Sequence, residues 1–297
     1  MKKFIYNSAL FSLTTLVCFV PFWMFICSTR VNALKLPDNV NIVFLGNSHI
    51  ECDVNDSIIK NSFNFARSND YPEQIYCKVK LLKQYNPHLD TVVIGYDNVM
   101  MEQNLNDEIL SIYSPYYYDQ YSSEDILNIL KNSSFKYCAS HFNHLFNIDK
   151  IAQALPALWD SATDITYLKN LGRYEYLDRD KLYQHIELQK DKETHKSSFD
   201  YLSKYFLKKT VEFCKSNNMT MILLATPQHH KSKIDTITYK HYHQQNFGEI
   251  TFYDLMSMPF PDSCFGDLNH LNYKGARAFS KFLEKEVFHK YNYINQP

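Results

Sequence analysis

Apolar positions along the chain follow two spacings. Short unbroken apolar runs closed by glycine or proline alternate with longer stretches whose apolar residues recur every three or four positions. Residues 39–45 (NVNIVFL) end in Gly46 and read as a buried strand. Thr91 to Ile94, closed by Gly95, reads as a second strand. Met219 to Ala225 (MTMILLA), stopped by Thr226-Pro227, is a third, and Ile250 to Leu255 a fourth. Residues 71–85 carry Ile75, Val79, Leu81 and Leu82 at helical spacing and stop before Asn86-Pro87. Residues 198–217 repeat that spacing through Leu202, Phe206, Val211 and Cys214, and 274–289 reads as a closing helix. Strands that alternate with helices predict an α/β fold with a parallel sheet covered on both faces.

The alternation lapses between the second and third strands. About a hundred residues there, roughly 99–195, contain helical pieces at 124–131, 150–162 and 179–188 and no convincing strand. They read as a mainly helical insertion over the carboxyl ends of the strands, where α/β sheets bind ligands. Residues 191–198 are polar enough for a surface linker. The N-terminal pattern is different again. Phe4 to Cys27 has no charged residue and is long enough to cross a bilayer, and Lys2 and Lys3 precede it. This predicts a signal anchor with its tip in the cytoplasm and the body in the periplasm or exterior. A cleavable signal peptide is the rival, but Val31-Asn32-Ala33 lies beyond Arg30, and Cys27 follows Phe25-Ile26 rather than a small residue. The expected division is therefore an anchor and short linker over 1–34 and one domain over 35–297.

Composition narrows the function classes. Hydrophobic residues make up 45% of the chain, enough for a sizeable core. Lysine plus arginine (31) nearly balances aspartate plus glutamate (32), which gives no electrostatic case for nucleic acid. Of seven cysteines, Cys18 and Cys27 fall in the anchor. Cys52, Cys77, Cys138, Cys214 and Cys264 fit no zinc spacing and no disulfide framework, so free thiols are the default. No cofactor and no metal is expected. His141 and His144, His229 and His230, and His241 and His243 lack carboxylate patterns beside them and read as surface or core histidines.

Two constellations carry chemistry. Gly46-Asn47-Ser48-His49 follows the first strand directly. A serine at such a turn is exposed at the sheet's carboxyl edge, where its hydroxyl can attack a carbonyl and its own N–H can face the oxyanion. The bland reading of that tetrapeptide alone is an ordinary helix cap. Gly266-Asp267-Leu268-Asn269-His270 precedes the closing helix, and a carboxylate three residues before a histidine can orient that ring and stabilise its protonated form. Gln228 or His229, just past the third strand, is placed to touch substrate. The tyrosine-rich run 113–121 reads as loop or core packing, with sugar stacking as the rival. Cys52 and Cys264 flank the two constellations as packing residues, with a disulfide across the site left open.

Together the constellations resemble the SGNH (GDSL-like) hydrolase family at four blocks over nearly the whole chain beyond the anchor. Gly46-Asn47-Ser48-His49 is similar to its nucleophile block and Asp267-Leu268-Asn269-His270 to its final block. Asn64 to Asn69 (NFARSN) stands where the family has an asparagine-led turn ending in an oxyanion glycine, and Gly95-Tyr96-Asp97-Asn98 where it has Gly-x-Asn-Asp. Two blocks depart from the pattern. No glycine lies between Gly46 and Gly95, so Asn69 is the expected substitute, in a left-handed turn; the third block inverts its order, leaving Asn98 as candidate donor. The resemblance implies a three-layer sandwich with a flavodoxin-like sheet. It also implies catalysis by Ser48, His270 and Asp267, with the Ser48 N–H, Asn69 and Asn98 as the oxyanion hole. With the anchor, it resembles the membrane-tethered branch that adds or removes O-acyl groups on envelope polymers. The expected partners are an acylated glycan or small ester and the membrane. Esterase against O-acyltransferase stays open, and a catalytically silent glycan-binding protein is the alternative outside enzymes.

Overall fold

The computed structural model describes residues 3–8, 10–15, 17, 34–102, 120–132, 172–178, 180–189, 199–235 and 237–288. Five strands, β1 (Ile42–Leu45), β2 (Ser62–Asn64), β3 (Thr91–Gly95), β4 (Thr220–Ala225) and β5 (Thr251–Asp254), form one sheet in the order β2-β1-β3-β4-β5. Every pairing is parallel, with Val43 beside Phe63 and Val92, Val92 beside Met221, and Leu223 beside Phe252. This is the flavodoxin-like doubly wound order, whose switch point lies between the first and third strands.

The apolar runs are unbroken because both sheet faces are covered. Val43, Leu45, Val92, Ile94, Met221 and Leu223 join one core, which packs against α2 (Pro72–Tyr85) and α6 (Tyr201–Ser216). Ile42, Phe44, Val93, Ile222 and Leu224 join the other. That second core packs against α1 (Ser48–Asp53) and α8 (Tyr273–Phe282), which continues as a π-helix over Leu283–Phe288. Alternation along each strand thus assigns successive residues to opposite layers. Leu34 and Leu36 are buried, and Asn86 holds that segment by accepting from the Leu36 N–H (2.7 Å) and donating to the Leu34 carbonyl (2.7 Å).

Three elements depart from the predicted pattern. β2 is only three residues, half-buried at the sheet edge, so it carries no apolar run. α3 (Asn98–Met101) is a single turn. α7 (Thr238–Asn246) buries only Tyr239 and His243 among polar neighbours and has no apolar stripe to recognise. The described parts of the insertion are divided. Residues 172–178 and 180–181 run past the turns at the carboxyl edge of the sheet, where the Arg173 N–H donates to the Ala66 carbonyl (3.0 Å), the Glu175 N–H to the Glu51 carbonyl (2.8 Å) and the Lys181 N–H to the Gly266 carbonyl (2.9 Å). The two helices lie on the flanks. α4 (Ser123–Asn132) packs along α6, where Asp125 accepts from Tyr205 Oη (2.8 Å) and pairs with Lys209 (3.3 Å). Tyr121 donates to Glu73 of α2 (2.8 Å), a packing role. α5 (Leu182–Gln189) lodges Leu182 in the opposite core. The expected helix at 150–162, the tyrosine run 113–119, Cys138, His141 and His144 lie outside the described residues.

At the N-terminus, residues 3–8 and 10–15 are helical and exposed. Among the described residues no helix is long and apolar enough to cross a membrane. Residues 18–33, which include the second part of the expected anchor, lie outside them.

Candidate active site at the switch point of the sheet

Two glycines let the nucleophile turn approach the sheet. Gly46 ends β1 at φ +153°, and Gly95 ends the neighbouring β3. A Cβ on Gly46 would lie 2.7 Å from Ile50 Cγ1, and one on Gly95 would lie 2.6 Å from the same atom. The absence of both side chains lets Ile50 of α1 drop between the two strand ends, which brings the start of the helix down onto them. Asn47 caps α1 by accepting from the His49 N–H (3.0 Å). Ser48 is the first helical residue, so its N–H has no acceptor within the helix.

The second constellation is a tight loop ahead of α8. The Gly266 N–H donates to the His270 carbonyl (2.9 Å), and Asp267 Oδ1 accepts from the N–H groups of Asn269 and His270 (2.9 Å each). The same carboxylate accepts from His270 Nδ1 at 2.9 and 3.1 Å. A ring that donates through Nδ1 presents the Nε2 lone pair, and His270 Nε2 lies 2.9 Å from Ser48 Oγ. Ser48, His270 and Asp267, separated in sequence, thus form one continuous hydrogen-bonded chain. His270 keeps 15% of its side chain exposed, whereas Asp267 is buried. This arrangement can draw a proton from the serine and stabilise the resulting imidazolium, the two tasks of a nucleophile–base–orienter set.

Sequence reasoning missed a second histidine–carboxylate pair behind the first. His49 is buried, its Nδ1 pairs with Asp97 Oδ2, and its ring stands edge-on to that of His270 with centroids 5.1 Å apart. Burial would depress the His49 pKa, but the Asp97 carboxylate outweighs it and the pKa is raised. For Asp97 burial pushes upward, yet His49 prevails and its carboxyl sits below the usual range. Each partner thus favours the charged form of the other. Asp97 also caps α3, accepting from the Met100 N–H (2.8 Å). Asp53, on α1, is fully buried and accepts from Thr226 Oγ1 (2.6 Å) and the Leu271 N–H (2.8 Å). Burial pushes its carboxyl up to about 8. Asp53 ties α1 directly to the residue after His270.

The oxyanion candidates fare differently. Asn69 has φ +64°, the left-handed conformation expected of a glycine substitute. Its turn is held from all sides. Asn64 donates to the Ile50 and Val54 carbonyls (2.9 and 2.7 Å) and accepts from the Ala66 N–H (3.0 Å). The buried Lys78 donates to the Phe65 carbonyl (3.0 Å) and to Asp70 (2.5 Å), and Glu51 accepts from the Ser68 N–H (2.7 Å). Asn98 is buried, and its amide nitrogen donates to the Asp235 carbonyl, in the loop after β4. The expected donor is thereby engaged by that loop, and its carbonyl oxygen has no partner among the described residues.

Other candidates resolve as follows. Among the described residues Cys77, Cys214 and Cys264 are free thiols, and no disulfide joins Cys52 to Cys264. His243 donates to the Ile250 carbonyl (3.0 Å) from within the core. His229, His230 and Asp262 gather with potential ligand atoms within 4.8 Å of one another. His229 Nδ1 accepts from the Lys231 N–H (3.2 Å), so the neutral ring carries its proton on Nε2, which faces Asp262 Oδ1 at 3.2 Å. A proton donated to the carboxylate leaves no lone pair there for a cation.

The model of an uncharacterised protein family matches residues 169–292, a span that includes Asp267 and His270 but not Ser48. Comparison with curated proteins finds no match.

Proposed function

We propose that the protein is a serine esterase or O-acyltransferase of the SGNH (GDSL-like) type, acting on ester-linked acyl groups of a cell-envelope polysaccharide or similar glycan. The observation that carries this reading is the unbroken chain from Ser48 Oγ through His270 to Asp267, 2.9 Å at each link. His270 removes the serine proton as Oγ attacks the ester carbonyl. The oxyanion is met by the Ser48 N–H and by the Asn69 backbone. Protonated His270 then gives its proton to the departing alkoxide, leaving an acyl-serine. Water completes hydrolysis, or a sugar hydroxyl completes transfer, with His270 again as base. The uncharged run 4–27 motivates placing this chemistry outside the cytoplasmic membrane.

One observation favours a second reading, a glycan-binding protein with little or no activity. The Asn98 amide directs one of its two hydrogens at the Asp235 carbonyl, and the loss of an oxyanion donor costs about 2.7–4 kcal/mol of transition-state stabilisation. A fluorophosphonate probe separates the two. It should modify Ser48, as mapped by peptide mass spectrometry, and His270→Ala should slow labelling by at least about 10³-fold. Labelling that persists in Ser48→Ala, or no labelling of the native chain, sinks the enzyme reading.

A further inference from the structure

A cleft of about 390 Å³ lies beside the Asp267–His270 loop, within the range of about 300–1,000 Å³ usual for small-molecule sites. Its lining mixes Gln228 and His230 with Ile234, Met258, Phe260 and Phe265. Phe265, at the start of the loop that carries the candidate base, is part of that lining. The His229 N–H donates to the Leu268 carbonyl (3.1 Å), and Ser232 Oγ bonds Asn269 Oδ1 (3.0 Å), the residue before His270. The loop residues 226–235 that bound the cleft also hold Asn98 through the Asp235 carbonyl. A group seated in the cleft is thus coupled by single hydrogen bonds to both ends of the site.

Gln228 indicates what that group is. It is only 7% exposed, and Ser232 Oγ engages its Oε1 at 3.4 Å. Its Nε2 has no hydrogen-bond partner among the described residues. A buried donor left unpaired costs about 1–3 kcal/mol, which a ligand oxygen would recover. An alkyl chain would fill the apolar part of the cleft while leaving that donor, and the His230 ring, unmatched. A sugar ring satisfies both kinds of wall, since its C–H face packs on apolar side chains and its hydroxyl oxygens accept hydrogen bonds.

We propose that this cleft is a saccharide subsite, in which one sugar ring lies against Met258 and Phe260 and accepts a hydrogen bond from Gln228 Nε2. It rests on the ester-glycan reading above for its role, placing the alcohol half of the substrate, not the acyl half, on this side of His270.

The test uses the complete 297-residue chain. Saturation-transfer NMR measures binding of methyl glucoside, methyl galactoside, methyl xyloside and methyl N-acetylglucosaminide, with octanoate as the acyl probe, while fluorophosphonate labelling of Ser48 is followed in parallel. At least one glycoside should bind. Gln228→Leu should weaken it by about fivefold or more, in line with a lost hydrogen bond. Phe260→Ala, at a half-buried surface position, should weaken it as well. Ser48 labelling of the native chain reads the enzyme separately, because the fluorophosphonate carries no sugar. Binding of octanoate in place of the glycosides, no binding by any probe, or glycoside affinity unchanged in both variants overturns the subsite. Glycoside binding without Ser48 labelling overturns the enzyme reading alone and leaves the subsite standing.

Discussion

At the scale of single residues, the candidate site gathers buried ionisable groups in which charge partners outweigh burial at His49 and Asp97 and burial prevails at Asp53. Asp53 carries the clearest consequence. Its folded-state pKa of about 8 stands well above the value near 3.9 of an unfolded chain. Between those values the folded protein holds a proton that the unfolded chain has released, so stability is full below about pH 4 and declines as pH rises. The slope for this group is about 1.4 kcal/mol per pH unit, ending near pH 8 where the folded carboxyl ionises too. Asp53→Asn keeps an oxygen for the Leu271 N–H and an amide for the rotatable Thr226 hydroxyl. Urea unfolding at pH 5, 6.5 and 8 should give a shallower loss of stability in the variant than in the native chain. Parallel curves would show that Asp53 is already ionised. These residues also mark the limit of what the sequence revealed. Asp267 and His270 were legible because three residues in one loop bring them together, and Asn69 because only a few residue types tolerate its turn. His49 and Asp97 were not legible as a pair, since only the adjacency of β1 and β3 joins them.

At the scale of elements, two of the four predicted strands were read from apolar runs closed by glycine, and both glycines prove to have a second use. Gly46 and Gly95 make the seat for Ile50 that sets the height of α1, and with it the position of Ser48. Gly95→Ala places a methyl group 2.6 Å from Ile50 Cγ1. It should cost about 1–3 kcal/mol and slow Ser48 labelling, because the helix must ride up from the sheet. In an Ile50→Ala background, which removes Cγ1, the same change should cost clearly less, and a double-mutant cycle reads the difference. Equal costs in both backgrounds would detach the glycine from the helix. β2 and α7 escaped the sequence reading for the converse reason. Their stability comes from neighbours, so they need no apolar signature of their own.

At the scale of the whole molecule, the order β2-β1-β3-β4-β5 puts Ser48 at the carboxyl end of β1 and the Asp97 that follows β3 beside its switch point. If the uncharged run 4–27 anchors the chain with Lys2 and Lys3 inside, protease added to intact spheroplasts should degrade the body of the protein. A body protected until lysis would reverse that topology and remove the envelope glycan as substrate. The Ser48–His270 bond joins residues 222 positions apart, and that span has a consequence in time. A ribosome releases the serine 222 residues before the histidine. Over that interval the nascent chain bears a serine with no base to arm it. Under the proposed serine chemistry, a chain stalled before His270 is inert toward whatever acyl groups surround it.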